Sequence, residues 1–161
     1  MSLTPVHFHL MLNHVPILGA IFVALLLAYA LWRSRPELQR LSLVCTAIVA
    51  LLTIPAYLTG EPAEDQIEHT QGFDEKLVDQ HEDRGEITLI VVLVTGAAAV
   101  GTLALARGGK DLRPSLVRLV LVGLVVSSGV AVWTALAGGQ IRHPELRAGW
   151  TQPAGSEAGA D

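Results

Sequence analysis

The chain has 161 residues, 51% hydrophobic and 16% charged, with a net charge of −4 and a mean hydropathy of +0.47. This excludes a nucleic-acid-binding protein, which would show a basic patch, and a water-soluble domain, whose helices would carry polar stripes. The single cysteine, Cys45, excludes an intramolecular disulfide, a paired-cysteine zinc site and covalent haem attachment through CxxCH.

Four apolar runs, Leu10 to Trp32, Leu41 to Leu58, Ile87 to Ala106 and Leu116 to Ala137, each approach the roughly 20 residues needed to cross a bilayer. They predict an all-α integral membrane four-helix bundle over residues 1–147, with helices at about 5–32, 38–59, 75–107 and 114–139. A flexible tail is expected over 148–161.

The first helix starts at Thr4-Pro5, a cap followed by proline at the first helical position, and so contains His7, His9 and His14. Ala28-Tyr29-Ala30 has the look of a signal-peptide cleavage site, but Arg33 and Arg35 follow the apolar run and no basic residue precedes it. The flanks therefore predict an uncleaved anchor with its N-terminus outside. Pro16, and Pro55 in the second helix, each remove a backbone donor in the outer half of a helix and are expected to bend it.

The first gap holds Arg33, Arg35 and Arg40, and the third holds Arg107, Lys110, Arg113 and Arg118, which places both gaps in the cytoplasm by the positive-inside rule. The second gap carries Glu61, Glu64, Asp65, Glu68, Asp74, Glu75, Asp79, Glu82, Asp83 and Glu86 against Lys76 and Arg84. The bundle is thus N-out and C-out, with the acidic loop outside, on the periplasmic face of a bacterial inner membrane. That loop is expected to be structured: Glu61, Asp65 and Glu68 recur at helical intervals after Pro62. Asp74 can cap a helix whose stripe of Leu77, Val78, His81, Gly85 and Thr88 enters the third span. On the third and fourth helices, Gly96, Gly101, Gly123, Ser127, Ser128 and Gly129 read as small residues for close helix packing.

All six histidines, His7, His9, His14, His69, His81 and His143, flank the outer ends of these helices. Counting about 1.5 Å per residue from the cytoplasmic arginines, His7, His81 and His143 lie at roughly 37–39 Å and His14 at about 28 Å. Neutral imidazole binds iron, copper or zinc, and two opposed imidazoles can supply both axial ligands of haem b. The leading candidates are His14, read as inward-facing and one helical repeat from His7, and His81, on the bundle-facing stripe; His7 and His143 follow. A bare metal would draw on His7, His9, His14, His81, His143 and Glu82. Asp79, Glu82 and Glu86 are candidates for orienting His81 through its other ring nitrogen. His9 and His69 are the weaker histidines, and Glu61, Glu64, Asp65 and Glu68 are weaker loop candidates.

The segments His9-Leu-Met-Leu-Asn-His14-Val-Pro16, Thr59-Gly60-Glu61-Pro62-Ala63-Glu64, His81-Glu82 and Gly139-Gln140-Ile141-Arg142-His143-Pro144-Glu145 together resemble a bacterial family of four-helix membrane proteins, the domain of unknown function 2231. The resemblance covers about residues 5–147 and implies a membrane partner of redox proteins, hence electron transfer. The reading is a haem b or transition-metal binding protein with its site near the periplasmic face, serving electron transfer with a membrane or periplasmic redox protein. Its alternatives are a membrane protein that handles copper, zinc or iron and a structural subunit, and homo-oligomers fit each. Catalytic motifs are missing from the sequence: it has no nucleophile-and-base pattern, phosphate loop or dinucleotide fingerprint.

Overall fold

The computed structural model describes residues 4–69 and 73–151. Every regular element among them is helical: α1 (Pro5–Leu12), α2 (His14–Trp32), α3 (Pro36–Leu58), α4 (Gly60–Ile67), α5 (Glu75–Leu105) and α6 (Pro114–Arg142), then a 3-10 turn at Pro144–Leu146. Four spans, Pro5–Trp32, Pro36–Ile67, Glu75–Leu105 and Pro114–Arg142, are long and apolar enough to cross a membrane. Among the described residues the chain is all-helical, and the length and composition of its four spans are those of an integral membrane protein.

Local chemistry explains where the helices start and stop. Pro5, Pro36 and Pro114 open α1, α3 and α6, where a fixed φ helps and the missing N–H would be unpaired anyway. Asp74 caps α5, its carboxylate accepting from the Leu77 N–H at 3.3 Å. Between α2 and α3 the chain reverses through Ser34 at φ 50°, and between α5 and α6 through Gly108 and Gly109 at φ 71° and 79°.

The first expected helix is interrupted at Asn13, three residues before Pro16, although Asn13 keeps helical angles and donates to the His9 carbonyl at 2.9 Å. The second ends at Thr59, four residues after Pro55, and the chain continues directly as α4. Each break lies within one turn of a proline that supplies no backbone donor. The resulting short helices, α1 and α4, pack on each other and on α3 at the end of the bundle away from the α2–α3 and α5–α6 turns. The fourth helix runs to Arg142, past the expected end near 139. Residues 70–72 of the acidic loop and 152–161 of the expected tail lie outside the described residues.

The long helices form a closed ring in which α2 packs on α3 and α6, and α5 packs on the same two neighbours. Large apolar core residues concentrate toward the α2–α3 and α5–α6 turns: Leu27, Leu43, Val117, Val120 and Leu124 are essentially inaccessible. Toward the opposite end most buried positions are small or hydroxylated, as at Ala20, Thr53, Ala56, Thr88, Ala131 and Ala137, and residues of the same kind, such as Ala30, Ser42, Ala99 and Thr102, are buried near the turns as well. Side chains such as Leu18, Phe22, Leu25, Val94 and Val122 point outward, as lipid-facing positions require.

The small residues divide into two groups. Gly96 lies against Ala50, and Gly123 lies so close that an added Cβ would stand 2.8 Å from the Thr95 hydroxyl. Ser127 meets that same hydroxyl at 3.3 Å. Gly101 and Gly129 have open space above them and serve no packing inside the chain, contrary to the sequence-based expectation.

Candidate functional site

Antiparallel order carries the start of α1, the end of α4, the start of α5 and the end of α6 to one end of the bundle. Of the six histidines there, the structure brings together His9 of α1 and His81 of α5. Their ring centroids are 6.2 Å apart and their planes meet at 86°, edge to face.

Each ring is held by a backbone carbonyl of a neighbouring helix. His9 Nδ1 lies 3.1 Å from the Ala56 oxygen, and His81 Nδ1 lies 3.0 Å from the Thr134 oxygen. A carbonyl only accepts, so both Nδ1 atoms carry a proton, and in the neutral form of each ring the lone pair lies at Nε2. Ala56 offers its oxygen because the helix breaks at Thr59, whose hydroxyl donates into the same region at 2.9 Å to Pro55 and 3.0 Å to Ala56. Thr134 is fixed in turn: its hydroxyl donates to the Arg84 and Val130 carbonyls at 3.0 Å each and sits 2.8 Å from the Thr88 hydroxyl. Gly138 makes room for the His81 ring, since an added Cβ would lie 2.9 Å from its Cε1.

The other histidines are engaged elsewhere. His14, expected to face inward, is exposed on the lipid-facing side and donates to the Leu10 carbonyl in the last turn of α1 at 2.8 Å. Its seven-residue relation to His7 is real, but the shared face is the outer one: the stripe continues through Leu18 and Leu25, while the inward stripe runs through His9, Asn13, Pro16, Ala20 and Leu27. His7 is exposed and accepts at Nδ1 from the Thr4 hydroxyl at 2.7 Å, tying down the helix start. His143 is exposed and pairs with Glu145 at 2.8 Å. The carboxyl of Glu145 is held below its usual range by its own backbone N–H and then by the His143 imidazole. His69 is a solvated side chain 3.2 Å from Glu68.

The carboxylates do not orient His81 as expected. Asp79, Glu82 and Glu86 are exposed, and the Thr134 carbonyl takes that role. Glu64, half-buried on α4, instead shares an acidic neighbourhood with Glu82, Asp79, Asp65 and Glu68, while Glu61, Glu82 and Glu86 surround Tyr57. Among the described residues no group of three or more His, Cys, Asp or Glu side chains is placed to hold a metal ion.

One further residue escaped the sequence reading. The Oδ1 atom of Asn13 is buried and has no hydrogen-bond partner among the described residues. Asn13 is one turn below His9 on the same inward face, a relation legible from the i, i+4 spacing once that face is identified.

Two nitrogen donors suit the axial demand of haem iron, whose other four ligands come from porphyrin. They do not suffice for a structural zinc ion, which takes four protein ligands. Two imidazoles bonded to one metal at about 2.0–2.1 Å would have ring centres roughly 5 Å apart at a tetrahedral angle and roughly 6.4 Å apart when opposed, a range that includes the observed 6.2 Å. No family model matches the chain, and no curated protein or solved structure does.

Proposed function

We propose that this membrane protein binds haem b through His9 and His81 near its periplasmic face and serves in electron transfer. The observation that carries the proposal is the pair itself: two adjacent imidazoles, each anchored at Nδ1 to a backbone carbonyl, which leaves Nε2 of each ring as the nitrogen open to ligation. Metal-bound histidines characteristically donate their other ring N–H to such a partner, which fixes the tautomer and raises ligand basicity. When bound, haem iron would supply a one-electron couple. The chain's contribution is to set the two ligands, cover them with apolar helices and hold them at the outer end of the bundle.

The charge distribution supports N-out, C-out topology, because the seven basic residues of the first and third gaps mark the cytoplasmic side. The site then faces a periplasmic or membrane redox partner across the acidic surface of α4 and early α5. The resemblance to the domain of unknown function 2231 favours the same role. In the structure the two rings touch, so a macrocycle enters only if α1 and α4 swing away from α5. The close contact also favours a second reading, a bare copper ion held by the same two nitrogens, since copper accepts imidazole ligands and needs no such opening.

Purification in mild detergent from cells supplied with haem precursor and metals separates the readings. Haem b gives a Soret band, α and β bands on reduction, and a pigment extractable in acid. A colourless protein with stoichiometric copper establishes the second reading. A colourless, metal-free protein contradicts both and leaves a structural subunit.

A further inference from the structure

Asparagine is a poor occupant of an apolar helix, and its side chain would ordinarily be turned outward or hydrogen-bonded. Asn13 does neither. Its Oδ1 is buried without a partner among the described residues, and its backbone N–H donates to the His9 carbonyl at 2.9 Å. Leaving an acceptor in that state is unfavourable, more so in a membrane, where no bulk water competes to satisfy it.

The location gives the residue a use. Asn13 follows His9 by four residues on one face, so their Cβ atoms are about 5–6 Å apart. Below it the same face is closed by Pro16 and Ala20, both buried and apolar. Among the described residues no donor reaches Oδ1, and neither Nε2 can donate to the amide while Nδ1 holds the ring proton. A molecule bound beside the pair would supply that donor.

We propose that Asn13 is the third polar member of the His9–His81 site, its Oδ1 accepting a hydrogen bond from a water that accompanies the bound metal centre. This rests on the reading of the histidine pair as a ligand pair. An unpaired acceptor is retained in the free protein at the expense of stability and is satisfied on loading.

Asn13→Leu tests this through two readouts that a purely structural residue would not move in opposite directions. The free protein should have a thermal midpoint equal to or above that of the parent, because an apolar side chain of similar size replaces an orphaned acceptor. Titration with haemin, and separately with a copper salt, should show at least tenfold weaker binding for the centre that the parent takes. Asn13→Gln, which keeps the carboxamide, should recover part of that loss. A lowered midpoint in the free protein would show that Oδ1 already has a structural partner, and binding within twofold of the parent would remove Asn13 from the site; either result overturns the proposal. His9→Ala and His81→Ala are titrated alongside: if they bind like the parent, the ligand pair itself is wrong, whereas loss there with full binding in Asn13→Leu rejects only the role of Asn13.

Discussion

At the scale of single residues, which histidine matters depends on the face it occupies rather than on its height. His9 lies about 36 Å above Arg33 by helical rise, level with His81, and so was within reach on height alone. The seven-residue spacing of His7 and His14 sets both on the exposed face. Residue size marks the inward one: Pro16, Ala20, Ala24 and Ala30 line the bundle, whereas Leu18, Phe22 and Leu25 line the outside. Replacing His7, His14, His69 or His143 singly by alanine should leave bound cofactor unchanged and shift stability by no more than about 0.5 kcal/mol, as exposed positions do; cofactor loss in a folded His14→Ala protein would return that residue to the site. Gly138→Ala makes the opposite test, because its Cβ would meet the His81 ring at 2.9 Å. Overpacking should lower stability by about 1–3 kcal/mol and displace the ring from Thr134, visible as reduced cofactor occupancy. Full occupancy and an unchanged midpoint would mean that the ring has slack.

At the scale of elements, membrane helices were legible because length and apolarity alone define them, and the Asp74 cap because its chemistry is local. Asp74→Ala should lower stability by about 1 kcal/mol through loss of that cap. Thermal unfolding in detergent measures the change, and hydrogen exchange should quicken at Leu77; an unaltered midpoint would assign the helix start to other contacts. The partition into α1–α2 and α3–α4 was only half legible. Pro16 and Pro55 announce weakened helix, yet the packing of the two short segments on one another is a tertiary outcome that no local pattern encodes. These segments have the fewest buried side chains, none in α1 and only Ala63 in α4. They should be the first to exchange in the free protein. Cofactor loading should slow exchange there and leave the centre of α6 unaffected; uniform protection across all helices would contradict a site seated under α1.

At the scale of the whole molecule, the largest fully buried side chains, Leu27, Leu43, Val117, Val120 and Leu124, gather toward the basic turns, while buried alanines and hydroxyl-bearing residues run the length of the bundle. This gradient was not legible beforehand, since composition gives the number of leucines and valines but only the fold decides which of them are buried. Orientation rests on the charge pattern and has its own test: in a Cys45→Ser background, Ala148→Cys should react with a membrane-impermeant thiol reagent on intact cells and Ser115→Cys should not. The reverse labelling would invert the topology. The central claim, that His9 and His81 ligate one centre, is tested most directly by electron paramagnetic resonance of the ferric protein loaded with haem b. Two imidazole ligands give a low-spin signal, and His9→Ala or His81→Ala alone should each convert it to high spin or abolish binding. A low-spin signal at full occupancy in both single variants would contradict the account.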